Sequence, residues 1–349
     1  MTPPEIARLR LAHQKLISSS AKSPKEALEW MGAVQAQDPE MSKWAIGIRC
    51  RKPSLDDVSS ALENGEIIRT HLLRPTWHLV SARDIYWLLD LTAPRIRLTM
   101  KSRHRQLGLS KETVTKSGRA LEKAFRTEES LTRDELIGAL KKNGVPCDGQ
   151  RASHLLLCAE LDQLICSGRS KNGRPAYAFL PARVPETNRL NMEESLARLA
   201  LLYFRSRGPA TLKDFAWWSG LTLTEVKQAV SSIELKSFQT GETDPFYYSE
   251  DSHAKSTGQT LALPPYDEFL LSYRDRSAVI TKSEHKKAIS ENGIFRPLII
   301  RDGKGIGIWK RIIKKGKISF ETSLFSKEKK VSPDIQTAFD AYRRFVGLD

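Results

Sequence analysis

Two glutamines that stand one residue apart, Gln35 and Gln37, have the types and spacing for joint action on a small molecule. They precede Pro39, and the residue before a proline is disfavoured in the helical conformation. The sequence therefore predicts a short second helix that runs toward Gln35 and ends here, so that both amides leave helical spacing and point together into a cleft. Amides can orient a water molecule by hydrogen bonds, although they cannot deprotonate it as a carboxylate could. Taken alone the pair is a weak signal, because glutamines are common on protein surfaces.

A second candidate group is the carboxylate pair Asp267-Glu268, with Asp275 further along the chain. Paired carboxylates are suited to general acid–base catalysis, and on this interpretation the protein would be a hydrolase that processes nucleotides or nucleic acids. The alternative is structural: the carboxylates would hold the preceding Pro264-Pro265 turn against Arg274 or Arg276. The sequence leaves both interpretations open.

Several catalytic and metal-binding motifs are absent from the sequence. No two of the 4 cysteines form a C-x-x-C pair, the 7 histidines contain no H-E-x-x-H, and no G-x-S-x-G elbow or P-loop is present. We therefore expect neither a metal nor another cofactor. The cysteines are too few for a disulfide framework, the N-terminus lacks an apolar signal core, and no apolar run approaches the ~18 residues of a membrane helix. The sequence predicts a protein of a reducing interior without a membrane span.

The positive charge of the chain is concentrated in two segments. Its 349 residues include 56 Lys and Arg against 41 Asp and Glu, for a net charge of +15. Residues 95–126 have a net charge of +8 and residues 301–330 one of +7, so the rest of the chain is neutral in sum. Clustered basic residues favour binding to nucleic-acid phosphates, whereas the alternatives are a solvated helix face and lysines that protect edge strands. The candidate phosphate contacts are Arg103, Arg105, Arg301, Lys304, Lys314, Lys315 and Lys317.

The elements that must position these groups recur along the chain. Three predicted helices precede a hairpin: Pro4 to Ile17, a capped helix after Ser23, and another from Ser54 to Asn64. The predicted strands of the hairpin are Glu66 to Leu73 and Thr76 to Val80. The same order of three helices and a hairpin begins again near Lys111, and the hairpin of this second unit lies around Lys171 to Arg174. It begins a third time near Met192, and the hairpin of that unit turns at Gly241 to Asp244. Residues 295–325 follow as a β-meander with turns at Asp302-Gly303 and Lys315-Gly316, and a helix from Pro333 to Phe345 closes the chain.

This order predicts a mainly helical α+β protein with three tandem winged-helix domains and a C-terminal β-meander or barrel-like domain. We expect the first winged helix at residues 1–94 and the second, preceded by a basic linker, at 95–188. The third occupies 189–258, and the β-rich domain with its basic hairpins occupies 259–349.

Five blocks of the sequence, in the right order and spread over nearly the whole chain, resemble the AlkZ-like winged-helix DNA glycosylases. This bacterial family removes alkylated purines from DNA and unhooks crosslinks. One departure is Pro75, where the family pattern usually has glycine, so the geometry of that hairpin turn is in doubt. The matching blocks are Val34-Gln35-Ala36-Gln37-Asp38, Arg69 to Val80, Asp214 to Gly220, Leu263 to Glu268, and Gly307-Ile308-Trp309.

The resemblance implies that Gln35 and Gln37 are the catalytic residues, in the Gln-x-Gln branch of the family. Within the second block, Arg74, Thr76 and His78 are the implied contacts to substrate or DNA, although His78 is equally well explained as a core histidine. The implied protein is a monomer that acts on duplex DNA with alkylated purines, in the bacterial cytoplasm and at the nucleoid.

The chemistry of two amides suits one class of lesion. A purine alkylated at N7 or N3 is already cationic, so it departs as a neutral base without a general acid. The protein must then only hold a water against the sugar C1′ as positive charge develops there. We therefore expect a monofunctional glycosylase for cationic alkylpurines, with interstrand crosslinks as further candidate substrates. The alternative is a winged-helix DNA-binding or regulatory protein without catalysis, because fold alone does not fix function.

Overall fold

The computed structural model of the protein describes residues 1–186, 189–241, 244–249, 258–326 and 331–348. The chain packs as two compact units. Residues 1–59 and 196–349 form one of them, here called the split unit, and residues 60–195 form the other, the inserted unit. The predicted α+β class, with more helix than strand, is confirmed. The proposed division into four domains remains a prediction.

The helices begin where the sequence supplies caps. Thr132, Thr211 and Thr222 each form a capping box with an acidic residue three positions later, which satisfies backbone N–H groups that lack helical partners. The helices are α1 Pro3–His13, α2 Pro24–Met31, α3 Pro39–Gly47, α4 Leu55–Glu63, α5 Ile85–Gln106, α6 Lys111–Ala124, α7 Arg133–Lys142, α8 Arg151–Leu161, α9 Leu180–Arg183, α10 Met192–Arg207, α11 Leu212–Ser219, α12 Leu223–Ser231, α13 Glu268–Leu271, α14 Lys282–Ala288 and α15 Pro333–Val346.

The strands confirm the predicted hairpins and the C-terminal meander. In the split unit β9 to β12 form an antiparallel sheet in the order β12-β11-β10-β9, curled as a half-barrel. The strands are β1 Ala33–Gln35, β2 Ile67–Leu72, β3 Thr76–Ser81, β4 Leu131–Thr132, β5 Ile165–Ser167, β6 Ala176–Phe179, β7 Lys236–Phe238, β8 Phe246–Tyr248, β9 Thr260–Ala262, β10 Leu298–Arg301, β11 Lys304–Lys314 and β12 Lys317–Leu324. Of the predicted turn at Gly241 to Asp244, Glu242 and Thr243 lie outside the described residues.

Two predictions about the first helices were wrong. The second helix does not reach Gln35: α2 ends at Met31, and Gly32 takes the positive φ of 74° that only glycine adopts without strain, after which the chain is extended. A further helix, α3, begins at Pro39, because proline is well tolerated at the first helical position and Asp38 caps it. The prediction used Pro39 as a helix stop and overlooked that it also starts one.

The basic linker is also a helix. α5 continues from its buried first half, through Pro94, to Gln106, so the basic residues after 94 project from a regular rod. An interior proline removes one backbone hydrogen bond, but the packed apolar residues on either side of it, Ala93 and Ile96, keep the helix in place.

In the split unit an aromatic cluster fixes the chain just before residue 264. The indole of Trp44 donates to the carbonyl of Ala262 and that of Trp309 to the carbonyl of Leu263, both at 2.8 Å. Both rings contact Tyr342 of α15 edge-on. A Cβ at Gly47 would lie 2.4 Å from the ring of Phe345, so glycine is required for α3 to pack on α15. The Pro264-Pro265 segment therefore starts from a rigid base.

Candidate active site

Gln35 and Gln37 lie on an extended segment between two helix ends. Gly32 turns the chain out of α2, and the Asp38 carboxylate accepts from the backbone N–H groups of Glu40 and Met41 at 3.1 and 3.0 Å. Gln35 is 6% exposed, whereas Gln37 is exposed. The two glutamines have thus left helical spacing, as predicted, on a strand and the bend that follows it instead of at a helix end. The segment is held at both ends, which limits how far its amides can move.

A fully buried ion pair contacts the backbone of this segment. The Glu268 carboxylate accepts from the backbone N–H of Gln35 at 2.8 Å through Oε1. Its Oε2 accepts from Arg207 Nη2 at 2.9 Å, from Trp218 Nε1 at 2.9 Å and from Ser272 Oγ at 2.6 Å. Burial raises the pKa of Glu268. The Arg207 charge and these hydrogen bonds have the opposite and larger effect, so that the pKa falls to about 2. Glu268 is therefore ionised at neutral pH and has no proton to donate.

Asp267 forms a second buried pair, with Arg49. Its two oxygens each accept from the guanidinium of Arg49 at 2.9 Å, and Oδ1 also accepts from the N–H of Phe269 as the cap of α13. Asp275 is exposed and accepts from the backbone N–H of Ser277. The three carboxylates thus do not converge on a shared proton. Their partners also differ from those that the sequence suggested, since Arg49 and Arg207 are distant in the chain.

The first hairpin, in the inserted unit, contains the other family-implied contacts. His78 is 0% exposed, and its Nδ1 lies 2.9 Å from the carbonyl oxygen of Thr76, so the core-histidine alternative describes its environment. Thr76 is half-buried, and no hydrogen bond of its hydroxyl is found among the described residues. Arg74 is half-buried at the turn that contains Pro75, where Leu73 takes a positive φ of 57°.

A model of the family described as "DNA glycosylase AlkZ-like" matches residues 28–345. The chain belongs to the AlkZ-like DNA glycosylase family. The match covers the Gln-x-Gln segment, the two buried ion pairs and the whole C-terminal sheet, which confirms the resemblance found in the sequence. A DNA glycosylase acts on DNA, whose phosphates favour clustered basic residues.

A solved structure has the same fold. The Streptomyces sahachiroi DNA glycosylase AlkZ is 16% identical in sequence and superposes with a TM-score of 0.83, over 100% of this chain and 97% of that one. No curated protein matches the sequence. At this identity the comparison supports the fold of the AlkZ-like chain and not the role of any single residue.

The predicted phosphate contacts of this AlkZ-like glycosylase differ in whether their charges are paired or exposed. The tip between β10 and β11 is packed down: Arg301 is paired with Asp334 at 2.7 Å, and Arg8 of α1 reaches Asp302 at 3.3 Å. A Cβ at Gly303 would lie 2.9 Å from that of Ala7. The charge of Arg301 is therefore already neutralised, while Lys304 remains exposed beside it.

The tip between β11 and β12 is open. Lys314, Lys315 and Lys317 are exposed, and within the described ranges none of them has an ion pair. A Cβ at Gly316 would meet nothing within 4 Å. The 11-residue strand β11 separates this tip from the packed one by roughly 33 Å at about 3.3 Å per residue. The two basic tips therefore lie at opposite ends of β11.

The end of α5 presents the remaining predicted contacts. Arg103 is exposed and donates to Gln106 at 2.9 Å and to Gln150 at 2.6 Å. Arg105 is exposed in the last turn of the helix. In the part of the AlkZ-like chain that the structure describes, no cluster of three His, Cys, Asp or Glu residues could hold a metal ion. Likewise, no described helix has the length and apolarity to cross a membrane.

Proposed function

We propose that this AlkZ-like protein is a monofunctional glycosylase that hydrolyses the N-glycosidic bond of N7- or N3-alkylated purines in double-stranded DNA. Gln35 and Gln37 would hold the attacking water by hydrogen bonds. The observation that supports this most directly is the state of the neighbouring carboxylates. Glu268 is buried against Arg207, and Asp267 against Arg49. Apart from the Asp38 carboxylate, which caps α3, what the segment offers to a substrate is thus neutral amide groups.

Neutral amides fit a reaction whose leaving group needs no proton. The cationic purine takes both electrons of the C1′–N bond and departs neutral, while a water oxygen bonds to C1′ and releases its proton to solvent. Positioning that water contributes several kcal/mol. The products are a free alkylpurine and an intact abasic site, so strand cleavage should require alkali. Interstrand crosslinks joined through N7 have the same cationic leaving group, and we include them among the substrates.

One assay tests this function. Incubation with a duplex that contains N7-methylguanine should release free base, and the Gln35→Ala/Gln37→Ala variant should lose about 10²-fold or more in single-turnover rate. A uracil or hypoxanthine duplex should yield no base. Failure of the wild-type protein to release methylguanine would leave a non-catalytic DNA-binding protein as the better account.

Asp38→Asn is the matched control for the mechanism. Asparagine caps a helix as well as aspartate does, so α3 should remain intact while the carboxylate next to Gln37 is removed. We expect the rate to stay within about fivefold of wild type, since only ~1 kcal/mol of local electrostatics changes. Loss of activity in this variant would show that a carboxylate, and not the amide pair, activates the water.

DNA binding is proposed to depend on the open tip. About five phosphate contacts would give a slope near −4.5 for log affinity against log salt concentration. Replacing Lys314, Lys315 and Lys317 by alanine should make the slope shallower by about 0.9 for each phosphate that these lysines neutralise in the wild type. The Lys304→Ala variant, at the packed tip, serves as the control. An unchanged slope in the triple variant would place the open tip away from DNA.

The remaining proposed contacts to substrate or DNA are Arg74, Thr76, Arg103 and Arg105. We propose that the protein is a monomer that acts on nucleoid DNA in the bacterial cytoplasm.

A further inference from the structure

The Arg207–Glu268 ion pair makes three contacts with the backbone of the segment that ends in Gln35. Arg207 donates through Nη1 to the carbonyl of Met31 and through Nη2 to the carbonyl of Ala33, both at 2.6 Å. Glu268 accepts from the N–H of Gln35 at 2.8 Å. The pair thus supplies an acceptor and donors to one edge of this segment, at the alternate residues where a paired strand would supply them on that edge.

The surroundings of the pair fix its own geometry. Both side chains are 0% exposed, and the Arg207 guanidinium lies 4.3 Å from the centre of the Trp218 ring. The hydrogen bonds from Arg207, Trp218 and Ser272 all go to Oε2 of Glu268, which leaves Oε1 for the N–H of Gln35. Each oxygen of the carboxylate therefore has a separate task, one toward the protein core and one toward the glutamine segment.

A buried ion pair is weak as a source of stability, because the loss of hydration offsets most of the attraction between the charges. Its contacts with residues 31, 33 and 35 suggest another role. We propose that Arg207 and Glu268 are positioning residues for the reaction: they set the backbone from which the Gln35 and Gln37 amides reach the water. This inference rests on the proposed function, and a displacement of about 1 Å at such a site can cost on the order of 10²-fold in rate.

Adjacent residues provide a matched pair of variants. Glu268→Gln and Asp267→Asn each neutralise a buried carboxylate that is paired with a buried arginine, but only Glu268 contacts the Gln35 backbone. At a temperature where both variants are folded, we expect Glu268→Gln to lower the single-turnover rate by about 10- to 100-fold. Its dissociation constant for lesion-containing duplex should change by no more than about twofold, because the phosphate contacts are intact. Asp267→Asn should keep the rate within about threefold.

If Glu268→Gln fails to fold, Ser272→Ala offers a milder route. It removes one hydrogen bond to Oε2 and leaves the charges in place, so we expect a rate about fivefold lower. Hydrogen exchange over residues 32–38 gives a readout besides rate, and the Gln35 amide should exchange faster in this variant than in Asp267→Asn. A purely structural role would make the rate follow stability in both variants.

The outcomes separate the two proposals. Equal rate losses in Glu268→Gln and Asp267→Asn, or a Glu268→Gln variant that folds and keeps its rate, would overturn the positioning role. Either result would leave the glycosylase function standing, because that function depends on base release by the wild type. Absence of base release by the wild type would instead remove the function itself.

Discussion

Each unit of the protein contains a fully buried glutamate, and the two are held in different ways. Glu268 of the split unit faces a guanidinium, and both of its oxygens accept hydrogen bonds. In the inserted unit Glu160 Oε2 accepts from the backbone N–H of His71 at 2.8 Å, from Thr70 Oγ1 at 3.2 Å and lies 2.7 Å from His71 Nδ1. Its Oε1 has no hydrogen bond among the described residues.

The difference lies in the charge of the partner. The guanidinium of arginine stays protonated at every pH at which a protein is folded. The ion pair at the Gln35 backbone thus keeps its charges over the working range. Glu160 on the first hairpin is instead held by a backbone N–H, a hydroxyl and an imidazole. A segment that must keep fixed geometry is held by the permanent charge. The comparison leads to three expectations about stability.

The largest effect is expected for Glu268→Ala. It leaves Arg207 buried without its counter-charge, which costs about 3–5 kcal/mol of unfolding free energy. Urea unfolding followed by tryptophan fluorescence measures this loss. The double variant Arg207→Met/Glu268→Leu is the control, because it removes both charges, and it should recover part of the stability without recovering base release. Recovery of both would show that the pair has no role in positioning.

A smaller effect is expected for Glu160→Gln. The amide oxygen can still accept from the His71 backbone, and the position already contains an oxygen without a hydrogen bond among the described residues. The loss should be about 1–3 kcal/mol, the cost of mismatched buried hydrogen bonds. Urea unfolding under the same conditions compares it with Glu268→Ala. If Glu160→Gln were the more damaging of the two, the greater contribution expected of the guanidinium pair would be wrong.

The local elements of this fold can be predicted from one sequence, whereas the partners of its buried glutamates cannot. Local patterns predict the features that depend on neighbouring residues. These are the caps at Thr132 and Thr211, the first hairpin and the C-terminal meander. The spacing of Gln35 and Gln37 and the family resemblance predict them as site residues. The partners of Glu268 are not predicted, because Arg207 is 61 positions away and a single sequence contains no record of such pairing. The Asp38-Pro39-Glu40 start of α3 was visible as a cap followed by proline, and was overlooked.

The smallest effect concerns pH, and it should appear in the inserted unit. Burial lowers the pKa of His104, and the Arg97 charge adds to this; burial also lowers the pKa of His154, with further lowering by His104 and Arg103. Because both folded-state values lie below the ordinary 6.5, the unfolded chain binds protons more readily. Their contribution to stability is complete above pH 6.5 and is lost as the pH falls from there toward the folded values.

Hydrogen exchange at pH 7.5 and 5.5, corrected for the intrinsic rate of exchange, measures this loss for each unit. Peptides around His104 and His154 should lose protection at the lower pH. Peptides that contain Arg207 and Glu268 should keep it, because the pKa of Glu268 is about 2 and its pair stays charged. The His104→Asn/His154→Asn variant should remove most of the pH dependence in the inserted unit. If the peptides around Glu268 opened first, the permanent charge would not be what protects the glutamine segment.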